Sequence, residues 1–126
     1  MLVVSLLQKP DATERLKAVS LTMGMKSADN KIIDALLNTL NHDENVNVRL
    51  AAIDALCKYA NNERVRKGFI EALGYQDSPI VIVTLADVLV SLQDKNSIDK
   101  LEQLLKDKGL NEQVKDKIQN SIKKIS

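Results

Sequence analysis

The sequence predicts an all-α protein, an α-α superhelix of about three stacked helical hairpins with partial helices at either end. Three observations carry that expectation. A self-similar pattern returns after 34 residues, apolar residues recur at three- and four-residue steps between its copies, and helix-start and helix-stop residues sit at the junctions.

The repeat is visible by direct superposition. Shifting by 34 positions lays "RLKAVS" (15–20) under "RLAAID" (49–54), with Arg15 on Arg49 and Ala18 on Ala52. The same shift lays Asp43 on Asp77, Val46 on Ile80, Val48 on Ile82 and Ala52 on Ala86. A weaker copy, "NEQVKDKIQNSI" (111–122), puts Val114 and Lys115 where Val48 and Arg49 stood.

Taken in order, "LVVSLLQ" overlays "IIDALLN" (32–38), so residues 1–9 read as the second (B) helix of a hairpin without its first (A) helix. A chain that opens halfway through a repeat is expected to be a piece of something larger. The first full repeat spans 11–41, its start marked by Asp11 with Glu14 as a capping box. The second spans 43–74, with an A helix at 43–56 that is apolar around most of its circumference and leaves mainly Asn47, Asp54 and Lys58 outside. The third spans 77–108. Its "PIVIV" is the one strand-like run, but Ser78 as N-cap, Pro79 at the first helical position and its place in the repeat predict a helix. Gly109 is a stop, and 111–124 is a capping A helix with its apolar residues thinned to Val114, Ile118 and Ile122. The B helices at 31–41, 63–73 and 97–107 are amphipathic, as Ile32, Leu36 and Leu40 or Val65, Phe69 and Leu73 show. Neither member of a hairpin can bury its apolar surface alone, so the hairpins must stack.

Composition narrows the function classes. The 126 residues make one domain's worth of chain, enough to bury roughly two-thirds of its unfolded surface. Aromatic residues are only 2% (Tyr59, Phe69, Tyr75), which removes stacking platforms for bases or sugars. A net charge of +1 provides no field to steer a polyanion. Cys57 is the only cysteine, so there is neither an internal disulfide nor a thiolate zinc cage. The opening "MLVVSLLQKP" lacks a basic leader and is too short in its apolar run for a signal peptide or span. No membrane contact is expected from this segment, and placement is cytoplasmic by default.

The pattern Asp43, Val46, Val48, Arg49, Ala52, Ala55, Leu56 resembles the HEAT repeat. The resemblance covers essentially the whole chain. It is complete in the second unit and partial in the third, where Val83 replaces the Arg, and in the first, where the Asp is displaced. The "NHDENVNVRLAAIDAL" wording and short B helices are most similar to bacterial HEAT domains, among them the C-terminal segments of membrane-tethered, anti-sigma-factor-like proteins, in which case this segment is extracytoplasmic. The resemblance implies a right-handed solenoid that binds protein or peptide, with no enzymatic activity and no cofactor. It places the B helices on the concave side, where Asp34, Asn38, Lys67, Glu71, Glu102, Gln103 and Lys106 are candidate partner-binding residues.

Other residues read as structural. Arg49 falls inside the apolar arc of its helix, where a guanidinium needs partners. In HEAT repeats this Arg bonds the helix-start Asp, often of a neighbouring unit, which implies a ladder of Asp43, Arg49 and Asp77; a phosphate-binding Arg is the functional alternative. His42, the sole histidine, stands beside Asp43 and Glu44 without a second His or Cys, so no metal or catalytic role is assigned and Asp43 is reserved for capping. Cys57 reads as a packed thiol. The four glycines form no phosphate cradle. The lysine-rich tail 114–126 reads as a solvated cap rather than a nucleic-acid or membrane contact, since acidic residues interrupt it. Nucleic acid is not an expected partner. A DNA-binding HEAT-like domain, a bilin-lyase-like HEAT protein with a chromophore pocket, and a spacer or dimerisation element remain the competing classes.

Overall fold

In the computed structural model residues 2–107 and 109–126 are described; Met1 and Lys108, at the edges of the expected 1–9 helix and 77–108 repeat, lie outside them. Every element among the described residues is helical. In chain order they are α1 (Leu2–Leu6), α2 (Ala12–Met23), α3 (Asn30–His42), α4 (Val46–Cys57), α5 (Glu63–Ala72), α6 (Pro79–Ser91), a 3₁₀ turn (Lys95–Ser97), α7 (Ile98–Asp107) and α8 (Glu112–Ile125). The chain packs as two compact units, one up to Gly68 and one over Phe69–Ser126, divided inside α5.

In the first unit α4 is the central helix, packed against both α2 and α3, while α1 packs on α2 and α3. That position explains why α4 is apolar all round: Val48, Ala52, Ile53, Ala55 and Leu56 are buried on several faces, leaving Asn47, Asp54 and Lys58 exposed as expected. By contrast α3 buries one stripe, Ile32, Ile33, Leu36 and Leu40, and exposes Lys31, Asp34 and Asn38. Three side chains start the helices. Asp11 accepts from Thr13 N at 2.9 Å, Asp29 from Ile32 N at 3.0 Å, and Asn45 from Val48 N at 3.1 Å. The cap of α4 is therefore Asn45 and not Asp43. Residues 43–45 form a turn in which Asp43 Oδ1 accepts from Asn45 N at 2.9 Å, so α4 starts at Val46, three residues later than the expected helix at 43–56. Where α5 meets α3, a Cβ at Gly68 would stand 2.5 Å from Leu37 Cδ2, so a larger residue there needs the Leu37 side chain to turn aside.

In the second unit α8 packs on both α6 and α7. The β-branched run at 79–83 is helical as expected, because α6 buries Val81, Ile82, Leu85, Ala86 and Leu89 at helical spacing. Ser78 occupies its N-cap without a side-chain cap bond. The C-terminus of α6 turns through Gln93, whose φ of 50° is left-handed. Asp94 N then bonds back to Leu89 O at 3.1 Å and Gln93 N to Val90 O at 3.0 Å, the double closure of a Schellman turn. Asp94 next caps the 3₁₀ turn, accepting from Asn96 N at 3.0 Å, and that turn leads into α7.

Candidate functional site

The residues expected to meet a partner fall into one set per unit, and both sets are exposed. In the first unit Asp34 and Asn38, one turn apart on α3, share an open groove of about 530 Å³ with Ser5, Gln8 and Lys31, floored by Val4, Leu7 and Ala35. Asp34 is already engaged: Arg64 Nη1 from α5 reaches its two oxygens at 3.0 and 3.1 Å. Lys67 pairs with Glu63 at 3.4 Å, one turn back on its own helix. In the second unit Glu102, Gln103 and Lys106 line another open groove, of about 500 Å³, with Asn96, Asp99 and Lys100. Glu71 is exposed near the end of α5. Each groove mixes both signs of charge with carboxamides. The first adds an apolar floor; the second is polar throughout.

The Asp–Arg ladder has a rung in the first unit, and its arginine is one the sequence reading left unassigned. Asp43 receives Arg15, from α2: Arg15 Nε donates to Oδ2 at 2.8 Å and Nη2 to Oδ1 at 3.1 Å. The remaining Nη1 donates at 2.8 Å to the carbonyl oxygens of both Lys9 and Pro10. One guanidinium thus fastens the α1–α2 connection and the α3–α4 turn to α2. Both side chains are buried, at 9% and 6% exposure. The hydrogen-bonded carboxylate of Asp43 raises the Arg15 pKa above its ordinary value, outweighing burial, so the guanidinium stays charged. The alignment of Arg15 with Arg49 carried the signal for this pair. In the sequence, the 28-residue step from Arg15 to Asp43 leads likewise from Arg49, which is buried, to Asp77.

A second tie had no precedent in the sequence reading, which counted Lys58 only as a solvated position. Lys58 Nζ donates to the Met23 carbonyl oxygen at 2.6 Å and to that of Met25. The Tyr59 hydroxyl lies 2.5 Å from Thr22 O and 3.3 Å from Met25 O, and its single proton goes to the nearer. Together they satisfy carbonyls at the C-terminus of α2, where a cation also meets the negative end of the helix dipole.

The thiol of Cys57 corrects another expectation. It is exposed rather than packed, because it falls on the outward side of α4 at its last turn. Partial desolvation and then nearby Asp54 both push its pKa up, away from a nucleophile's. His42 is exposed in the last turn of α3. Among the described residues no group of three or more His, Cys, Asp or Glu is placed to hold a metal ion. Nor is any of their helices long and apolar enough to cross a membrane.

The sequence model of the family described as HEAT repeats matches residues 33–123. The chain belongs to the HEAT-repeat family. No curated protein matches it. HEAT repeats generally mediate protein–protein interaction and their proteins are typically non-catalytic scaffolds. The match begins inside α3 and takes in the whole of α4, α5, α6 and α7.

Proposed function

We propose that this chain is a non-enzymatic protein-interaction module that holds a polar peptide or protein segment on its B-helix faces. The observation that carries the reading is the division of labour between helices. The A helix α4 is committed to packing, while α3 and α7 present Asp34, Asn38, Glu102, Gln103 and Lys106 in open grooves, and α5 exposes Lys67 and Glu71. Interspersed charges with carboxamides suit a polypeptide better than a polyanion, which would need a surface of one sign.

The reading extends to context. Residues 1–126 form one repeat domain, made of 1–9, 11–41, 43–74, 77–108 and 111–124, that serves as the regulatory or partner-binding part of a larger bacterial protein. The wording of the second repeat supports a likeness to the C-terminal segments of anti-sigma-factor-like proteins. A zinc-binding module and a transmembrane helix encoded upstream in the same reading frame would support that context, and a different upstream module would exclude it.

The interface is tested by site-specific photocrosslinking in cells. A photoreactive residue at Asn38 or at Gln103 should capture a discrete protein, and one at Asp54, on the exposed side of α4, should not. The captured partner's Kd should then weaken at least about tenfold on Lys67→Glu or Glu71→Lys. Equal capture from Asp54, or a Kd indifferent to both reversals, moves the interface off these faces.

A further inference from the structure

The groove between α1 and α3 carries one charge that its neighbours leave unanswered. Of the carboxylates around the start of α3, Asp29 caps the helix, its Oδ1 accepting from Ile32 N at 3.0 Å, and Asp34 is held by Arg64. Lys31 lies between them in the chain, is exposed and lines the groove, and it forms no ion pair with a described carboxylate. It occupies the first turn of α3, where a cation is disfavoured by the helix's own partial positive charge. An incoming anion relieves that strain on the charge balance, while a cation worsens it.

Spacing along α3 fixes what accompanies the anion. Ala35, in the apolar floor with Val4 and Leu7, is one turn beyond Lys31, about 6 Å along the axis, and Asn38 is about 10 Å beyond it. An extended chain advances about 3.3 Å per residue and turns alternate side chains to the same side. Two residues of such a chain cover the step from Lys31 to the floor, and a third reaches Asn38. There Asn38 and, from α1, Gln8 each offer a donor and an acceptor, the complement of a peptide group. Thr39 offers less, since its hydroxyl already donates to Ala35 O at 3.0 Å. The groove's volume of about 530 Å³ lies within the roughly 300–1,000 Å³ of ligand pockets, which suits a short segment rather than a folded surface.

We propose that this groove binds an extended partner segment in which an acidic side chain stands two residues from a branched aliphatic one. The carboxylate pairs with Lys31, and the aliphatic group rests on Val4, Leu7 and Ala35. The proposal rests on the peptide-binding reading above and gives the first groove a sequence pattern to recognise. The second groove lacks the apolar floor and does not share the pattern.

Unlabelled seven-residue peptides test it, each acetylated and amidated so that its one carboxylate is a Glu side chain. They hold Glu-Ser-Leu or Leu-Ser-Glu between Ser and Gly, because the groove does not fix chain direction, and Kd is read by NMR chemical-shift titration. The tighter binder of the two should weaken at least about tenfold when its Glu becomes Gln, and likewise when Glu and Leu are made adjacent. Lys31→Glu, which suits a helix start and so folds, should weaken it as much and should bind the matching peptide with Lys in place of Glu. Lys106→Glu, in the second groove, should change neither. No saturable shift up to about 1 mM of either peptide overturns the proposal, as does indifference to the Gln peptide, to the adjacent spacing or to Lys31→Glu. So does tighter binding of a Glu-free peptide that ends in a free Leu carboxylate, which would make the groove a site for chain ends. Photocrosslinking from Asn38 depends on no pattern in the partner. Discrete capture there beside a failed titration therefore overturns this proposal alone, whereas no capture from either groove overturns the reading beneath it.

Discussion

Arg15 grips Asp43 through two nitrogens, one to each oxygen, whereas Arg64 reaches both oxygens of Asp34 through Nη1 alone, and the two pairs also differ in burial. The exposures are 9% and 6% for the first pair and 47% and 56% for the second. Replacing Arg15 by Ala strands a buried carboxylate with one remaining donor, Asn45 N, and leaves the Lys9 and Pro10 carbonyls to find others. Removing one partner of a buried ion pair costs about 3–5 kcal/mol, a large share of the roughly 5–15 kcal/mol a domain possesses. Removing Arg64 should cost about 0.2–1 kcal/mol, since water solvates the carboxylate left behind. Urea denaturation at pH 7, followed by circular dichroism at 222 nm, measures both. Adding about 1 M salt should erase most of the Arg64 effect and little of the Arg15 effect. Adding Asp43→Asn to Arg15→Ala should recover part of the loss, because the stranded group is then neutral. A cost for Arg15→Ala within about 0.5 kcal/mol of that for Arg64→Ala, or no recovery in the double variant, refutes the reasoning.

Further outcomes are open to measurement. Asn45→Ala and Asn111→Ala should each cost about 1 kcal/mol by removing a helix cap, whereas Ser78→Ala, whose hydroxyl makes no cap bond, should cost at most a few tenths in the same urea assay. Gln93→Gly should stabilise by about 1 kcal/mol through relief of the left-handed φ, less whatever the Gln93 side-chain bonds contribute. Burial raises the Tyr59 pKa above its ordinary 10.0, so the unfolded chain ionises first and stability falls as pH rises through 10 toward the folded value; Tyr59→Phe should flatten that alkaline decline while losing about 1 kcal/mol at pH 8. Cys57 should react with iodoacetamide more slowly than a free thiol near neutral pH despite its exposure, and Asp54→Asn should speed it.

The fold was legible because repetition multiplies weak signals. The β-branched residues of α6 argue for a strand when taken alone, yet their register with α4 outweighs propensity, since what a repeat must supply is an apolar helix in the same place. Helix starts were legible where the cap is Asp11, and misplaced where Asp43 competes with Asn45. Two acceptors two residues apart suit either role, and the choice falls to the Asn45 carboxamide because the Asp43 carboxylate is taken up by Arg15. The ties at Lys58 and Tyr59 were out of reach. They end on backbone carbonyls of Thr22, Met23 and Met25, which every residue possesses, so no residue type in the sequence marks the acceptor.

The candidate site was legible as a set of helix faces but not as a set of available groups. The polar stripe of α3 follows from periodicity, and Asp34 and Asn38 are exposed on it. The sequence, however, cannot show that Arg64 occupies the Asp34 carboxylate. A partner at the first groove therefore meets an ion pair instead of a bare anion, and must either leave it intact or replace it with one as good. Competition of that kind makes binding weak in contacts to Asp34 itself and shifts recognition to Asn38, Gln8 and Lys31, and to the apolar floor of Val4, Leu7 and Ala35. Asn38→Ala should consequently weaken a captured partner more than Asp34→Asn does, measured as Kd by titration calorimetry. Asp34→Asn should even strengthen the binding of an acidic partner, by freeing Arg64 to meet it. If Asp34→Asn proves the more damaging change, the carboxylate itself is the recognised group and the Arg64 pair is broken on binding.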